Sequence, residues 1–244
     1  MFYLIDNKNK IIFGWSAKCG CSHIKHLFNF LSNNKENVNN IHKNINVYRV
    51  LPNNIENYIT IIISRNPYKR IVSGFLDKYK LGGEFRHLWK YNYITFSMFV
   101  NELVKKNWKM IENHHFTPQT SEGFDIKILK SKCIKCFDIE NIDYKYIENL
   151  YNRTIPEHIL QKKEGHERVQ NIKDDTILGQ PLYDLYMITY LNKKVELRYF
   201  YNEDLKRKVF NFYKNDFTFF NEMGLDYITT TFYTLEDLKP HLSM

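Results

Sequence analysis

The chain has 244 residues and a formal net charge of +8, from 35 Lys+Arg against 27 Asp+Glu. Hydrophobic residues make up 43% and charged residues 25%. That length and balance support a buried core, and they exclude a disordered tail, a collagen and a small disulfide scaffold. The basic set is 27 Lys and only 8 Arg, beside 27 Asn, 26 Ile and a single Ala, Ala17. Such a bias is what an AT-rich genome produces, so most of the lysine charge is solvated surface and no nucleic-acid partner is expected. No apolar run reaches the roughly 18 residues of a membrane span.

The four cysteines are Cys19, Cys21, Cys133 and Cys136. One residue separates the first pair, where structural zinc knuckles usually have two to four. Cys133 and Cys136 fall inside a strand-like run, Cys133 to Ile139, and not at the helix start that a redox pair needs. They are read as reduced thiols, and no metal is expected. Met1 to Ile5 is apolar but is followed at once by Asp6-Asn7-Lys8-Asn9-Lys10, so no secretory leader is read and a cytoplasmic protein is the expectation.

In chain order, Phe2–Ile5 and Ile11–Trp15 flank a polar turn and predict a strand pair. Ser22 to Leu31 carries Ile24, Leu27, Phe28 and Leu31 at helical spacing, with Ser22 as N-cap. Residues 33–46 form a polar connection. Asn46–Leu51 and Tyr58–Ser64 predict strands. The second is nearly all apolar, as a central parallel strand covered on both faces would be. Pro67 opens a helix to about Tyr79. Further helices are predicted at Phe96–Lys106, Tyr144–Tyr151, Pro181–Leu191 and Asn202–Tyr213. Strand and helix alternate, which predicts a single α/β domain over residues 1–244 with a mainly parallel sheet and right-handed crossovers.

Two strand-to-helix turns carry chemistry. Ile11 to Trp15 runs into Ser16-Ala17-Lys18-Cys19-Gly20-Cys21-Ser22-His23 and then a helix. A helix N-terminus offers unpaired N–H groups and a positive dipole end. Gly20 permits close backbone approach to an anion, and Lys18 adds a mobile charge. The Walker A pattern is absent. The second turn is Ile63-Ser64-Arg65-Asn66-Pro67-Tyr68-Lys69-Arg70-Ile71-Val72-Ser73. Arg65 at the strand end suits a bidentate phosphate contact. Arg70 reads as an ion-pairing residue on a helix face. Two such strand ends of a parallel sheet lie on one edge, where open α/β sheets bind ligands. They suggest a ligand with two separated anionic groups.

These residues resemble the sulfotransferases. Lys18-x-Gly20-Cys21-Ser22 is similar to their 5′-phosphosulfate loop, and Arg65 to Ser73 resembles their 3′-phosphate motif, R-x-P-[YF]-x-R-[LIV]-V-S. His114-His115-Phe116-Thr117-Pro118-Gln119 resembles an H-[WF]-x-P-Q element of the carbohydrate, Golgi-type branch. Cys136 to Ile142 and Tyr213-Lys214-Asn215-Asp216-Phe217 resemble its later motifs. The chain departs at Ala17, where the family has Pro, and at His23, where a further hydroxyl commonly sits. It looks like a soluble, minimal member from a microbe or virus.

The resemblance implies a three-layer, P-loop-NTPase-like sulfotransferase fold. It implies 3′-phosphoadenosine 5′-phosphosulfate (PAPS) as donor, the 3′,5′-bisphosphate (PAP) as product, no metal, and a hydroxyl acceptor, with a glycan or sugar favoured. By the same resemblance Lys18 stabilises charge on the bridging oxygen, and Cys19, Gly20, Cys21, Ser22 and His23 hold the 5′-phosphate. Arg65 and Ser73 hold the 3′-phosphate, and Arg168 in a later basic loop contacts the nucleotide. His115 is the expected base, with His114, Glu84 and His87 as alternatives. A nucleotide kinase-like phosphotransferase, or a degenerate sulfotransferase fold that only binds, are the competing readings.

Overall fold

The computed structural model describes residues 1–33, 40–79, 87, 94–121, 124, 126–161 and 197–228. The predicted helix Pro181–Leu191 and the loop holding Arg168 lie outside these residues, as does Glu84. The described residues fall into two compact units, one within residues 1–65 and 119–167 and the other within 66–118 and 168–244.

The first unit holds a four-stranded sheet in the order β1-β2-β3-β4: β1 (Phe2–Asp6), β2 (Ile11–Trp15), β3 (Ile59–Ser64) and β4 (Cys133–Asp138). β1 and β2 form the expected antiparallel pair, closed by Asp6, whose carboxylate accepts from the N–H groups of Lys8 and Asn9. β2, β3 and β4 are parallel. Trp15 pairs with Ile63, and Ile63 with Phe137, so the three strands end level on one edge. The chain is thus a mixed α/β protein with a mostly parallel central sheet flanked by helices.

Strand alternation selects the core. Leu4, Ile11, Phe13, Trp15, Ile61 and Ile63 share one buried cluster with Ile24, Leu27, Phe28 and Leu31 of α1 (Cys21–Asn33). The same cluster takes in Ile147 of α4 (Tyr144–Tyr151) and Ile159 of α5 (Glu157–Leu160). Full burial of each such side chain is worth about 1.5–3 kcal/mol. Arg153 donates to the Phe30 carbonyl at 2.8 Å, placing a cation in the last turns of α1.

Two expectations are corrected. Asn46–Leu51 is not a strand: its one ladder contact is an isolated bridge between Tyr48 and Tyr3. Pro52 follows the run and Val50 is exposed, and no ladder continues beyond the Tyr48–Tyr3 bridge among the described residues. Ser22 is not the N-cap of α1. The helix begins at Cys21, and the Gly20 carbonyl accepts the first helical bond, from Ile24 at 2.9 Å.

The second unit packs α2 (Pro67–Lys78), α3 (Phe96–Val104), α6 (Glu203–Phe212) and α7 (Lys214–Glu222). Asn66 caps α2 by accepting from Tyr68, and Pro67 occupies its first turn. Phe75, Tyr79, Phe96, Phe99, Phe116 and Phe200 are fully buried aromatics of this unit. α7 was not expected, because only four residues separate its apolar Phe217 from the end of α6 and no cap marks the break.

Candidate active site

The loop from β2 to α1 is built on two left-handed residues, Lys18 at φ 68° and Gly20 at φ 75°. A lysine in that region is uncommon and costs about 1–2 kcal/mol. Such turns gather main-chain N–H groups around an anion. Cys19 N–H donates to the Ser16 carbonyl at 3.2 Å and closes the turn. A Cβ on Gly20 would lie 2.3 Å from Ile139 Cδ1, just past the end of β4, so a side chain there would require the Ile139 side chain to move.

The side chains of the loop divide. Cys19 is fully buried, and its thiol donates to Gln119 Oε1 at 3.0 Å. His23 Nε2 meets the Tyr144 hydroxyl at 2.8 Å, the rings edge to face. Burial, with His26 nearby, lowers the His23 pKa and favours the neutral ring. The Cys19 thiol thus faces Gln119 and His23 Nε2 faces Tyr144, while the main chain of both residues belongs to the loop. Lys18 and Ser22 are half-buried. Ser22 Oγ lies 2.9 Å from His42 Nε2.

Arg65 follows β3 on the same edge. Its Nη1 donates to the Lys18 carbonyl at 3.3 Å, and its Nη2 stands 4.0 Å from Glu140 Oε1. That ion pair is half-exposed and weak. Arg65 Nε is buried with no hydrogen-bond partner among the described residues. A buried guanidinium N–H left unmatched is costly, and an anion at this edge is a chemistry that would match it.

Gln119, quoted in a motif but given no role from sequence, holds this arrangement. Its Oε1 accepts from Arg65 N–H at 3.2 Å and its Nε2 donates to the Arg65 carbonyl at 2.9 Å. With the Cys19 thiol on Oε1 as well, one buried amide ties the phosphate-type loop to the strand-end arginine.

In the second unit Ser73 is a half-buried residue of α2. Arg70 is 1% exposed and donates to the Thr117 carbonyl at 2.9 Å, so the helix face it occupies is buried and Arg70 braces the segment before Gln119. Tyr213 donates to the Phe116 carbonyl, and a Cβ on Gly74 would lie 2.6 Å from the Phe116 ring. The family-like residues of α2 and of the α6–α7 junction thus fix the segment that carries His115.

His115 Nδ1 is 2.6 Å from Glu112 Oε2, and both side chains are about one-sixth exposed, at 17% and 16%. The Glu112 carboxylate also accepts from the N–H groups of His114 and His115. Glu112 N–H in turn donates to the Tyr79 hydroxyl at 3.0 Å. Burial pushes the Glu112 pKa up, but the bonds from the His115 ring and the two amides outweigh it and hold it low. A carboxylate only accepts, so Nδ1 carries the proton and Nε2 is the basic nitrogen. Glu112 was missed because a lone Glu three residues before His has no motif to mark it. His114 and His87 are exposed.

The cysteines are free thiols, and no group of metal-ligating side chains gathers among the described residues. Among these residues no helix is long and apolar enough to cross a membrane. A family model described as the sulfotransferase family matches residues 2–221. The chain belongs to the sulfotransferase family. No curated protein and no solved structure matches it.

Proposed function

We propose that the chain transfers a sulfuryl group from PAPS to a hydroxyl acceptor, with a sugar hydroxyl the favoured class. The observation that carries this reading is the pairing of two features on one sheet edge. One is the left-handed Lys18–Gly20 turn at the start of α1; the other is Arg65, with its buried, unmatched Nε. That pair fits a ligand with two separated anionic groups, and family membership supports sulfuryl chemistry.

PAPS, when bound, supplies the activated sulfuryl group. The chain's own residues supply position and charge. Main-chain N–H groups of Cys19 to His23 and the Ser22 hydroxyl hold the 5′-phosphate. Lys18 offers an ammonium to the charge that develops on the bridging oxygen. Arg65 and Ser73 hold the 3′-phosphate, which favours this nucleotide over a plain adenylate, and Arg168 contributes from its basic loop. His115 Nε2 takes the acceptor proton, and Glu112, by holding the ring hydrogen on Nδ1, orients Nε2 as the accepting nitrogen of the neutral ring. Roles for Ser73, His115 and Arg168 rest on the family resemblance.

The test is thermal stabilisation by PAP but not by AMP, followed by transfer of labelled sulfate from PAPS to a panel of sugars. Stabilisation without transfer to any hydroxyl would leave a binding module. Magnesium-dependent ATP turnover in place of PAP binding would overturn the reading.

A further inference from the structure

The first turn of α1 carries a side-chain relay that the proposed reaction does not yet use. Lys25 is only 6% exposed, and its Nζ lies 3.1 Å from His42 Nδ1. The other ring nitrogen, Nε2, lies 2.9 Å from Ser22 Oγ. An ammonium has three donors and no acceptor, so Nδ1 accepts. The Cys21 thiol, 3.9 Å from Nδ1, is a second donor facing the same nitrogen. A doubly protonated ring would set N–H against ammonium at this distance. The neutral ring therefore carries its hydrogen on Nε2 and donates it to Ser22 Oγ. The serine oxygen is then an acceptor toward His42, and its single hydrogen is left to donate elsewhere.

We propose that His42 is a positioning residue: Lys25 and His42 together fix the Ser22 hydroxyl as a donor to the 5′-phosphate of the nucleotide. This rests on the reading of the α1 N-terminus as the 5′-phosphate site. The relay lay hidden in the sequence, because His42 follows a polar, Asn-rich connection with no spacing that ties it to Ser22.

Two measurements test it. Imidazole ¹⁵N NMR of the ligand-free protein reads the tautomer: His42 is expected as Nε2–H, with the preference lost in Lys25→Met. A predominant Nδ1–H form in the wild type overturns the relay. Calorimetry then compares wild type, Ser22→Ala, His42→Ala and the double variant. His42→Ala is expected to weaken PAP roughly five- to tenfold, the scale of the net worth of one ordinary hydrogen bond. It should leave adenosine 3′-monophosphate unchanged and add nothing in the Ser22→Ala background. His42→Gln, which keeps an N–H near the Nε2 position, should restore most of the affinity. Additive losses, or an equal loss for the 3′-monophosphate, overturn the role of His42 alone. A wild type that binds no PAP overturns the 5′-phosphate reading itself, and this role falls with it.

Discussion

The side chain of Gln119 closes a two-bond ring onto the main chain of Arg65, accepting from its N–H at 3.2 Å and donating to its carbonyl at 2.9 Å. This is the pairing a neighbouring strand would make, supplied by one amide. It continues the β3 ladder past Ser64 at the point where the chain leaves the sheet. Both groups are sheltered, so the geometry of the arginine depends on a residue distant in sequence.

Gln119→Leu removes both bonds at similar volume and leaves the Arg65 amide and carbonyl and the Cys19 thiol without this partner. The expected loss is about 1–3 kcal/mol of unfolding free energy, the range for unsatisfied buried polar groups. Urea denaturation measures it. PAP affinity should fall too, because Arg65 is no longer held; full retention of both stability and affinity would refute the bracing role.

Lys18 combines a functional side chain with a backbone conformation that opposes it. Lys18→Ala should abolish sulfate transfer while the fold persists. Lys18→Gly separates the two effects. Glycine accepts φ 68° without the left-handed penalty of about 1–2 kcal/mol, and that gain offsets its greater freedom when unfolded. Its stability should match wild type within about 1 kcal/mol, with transfer still lost. A Lys18→Gly enzyme that turns over normally would remove Lys18 from the chemistry.

The difference between what the sequence showed and what it hid is physical. β2, β3, α1 and α2 were legible because Ile, Phe and Pro placed at period 2 or 3.6 carry their own local signal. The level strand ends followed from parallel pairing, and so did the meeting of Lys18 and Arg65. Glu112, Gln119 and His42 were silent. Each acts through a partner that only the fold supplies, and a single polar residue in a loop has no period. Arg70, read as an ion-pairing residue on a helix face, proves buried, because Thr117 and the Phe116 ring close over that region of α2 and only the fold brings them there. Asn46–Leu51 had strand-like composition but pairs only through the single Tyr48–Tyr3 bridge, which composition does not reveal.

Arg65→Ala should weaken PAP by about 1.5–3 kcal/mol, the scale of a hydrogen bond between charged groups. The loss should be much smaller for AMP, which lacks the 3′-phosphate. Calorimetry with both nucleotides reads the difference. Equal losses for the two would place Arg65 at the 5′ end, and no loss would exclude it from the nucleotide site.

The Glu112–His115 pair gives two predictions of opposite character. For stability, the folded Glu112 pKa lies below the usual value of 4.5. A depressed carboxylate contributes stability in full above its unfolded pKa and loses it as pH falls through the folded one. The melting-temperature gap between wild type and Glu112→Gln should therefore be open at pH 7 and close below about pH 4.5. For catalysis, His115→Ala should lower kcat by about 10²–10⁴, the usual range for a positioned base, with PAP affinity kept. Glu112→Gln is the sharper variant, because its amide can donate to Nδ1 and so drive the proton onto Nε2, where it blocks the base. It should cut kcat by at least about tenfold with KM for PAPS little changed. A Glu112→Gln enzyme with unaltered kcat across the pH profile would show that His115 works without its carboxylate.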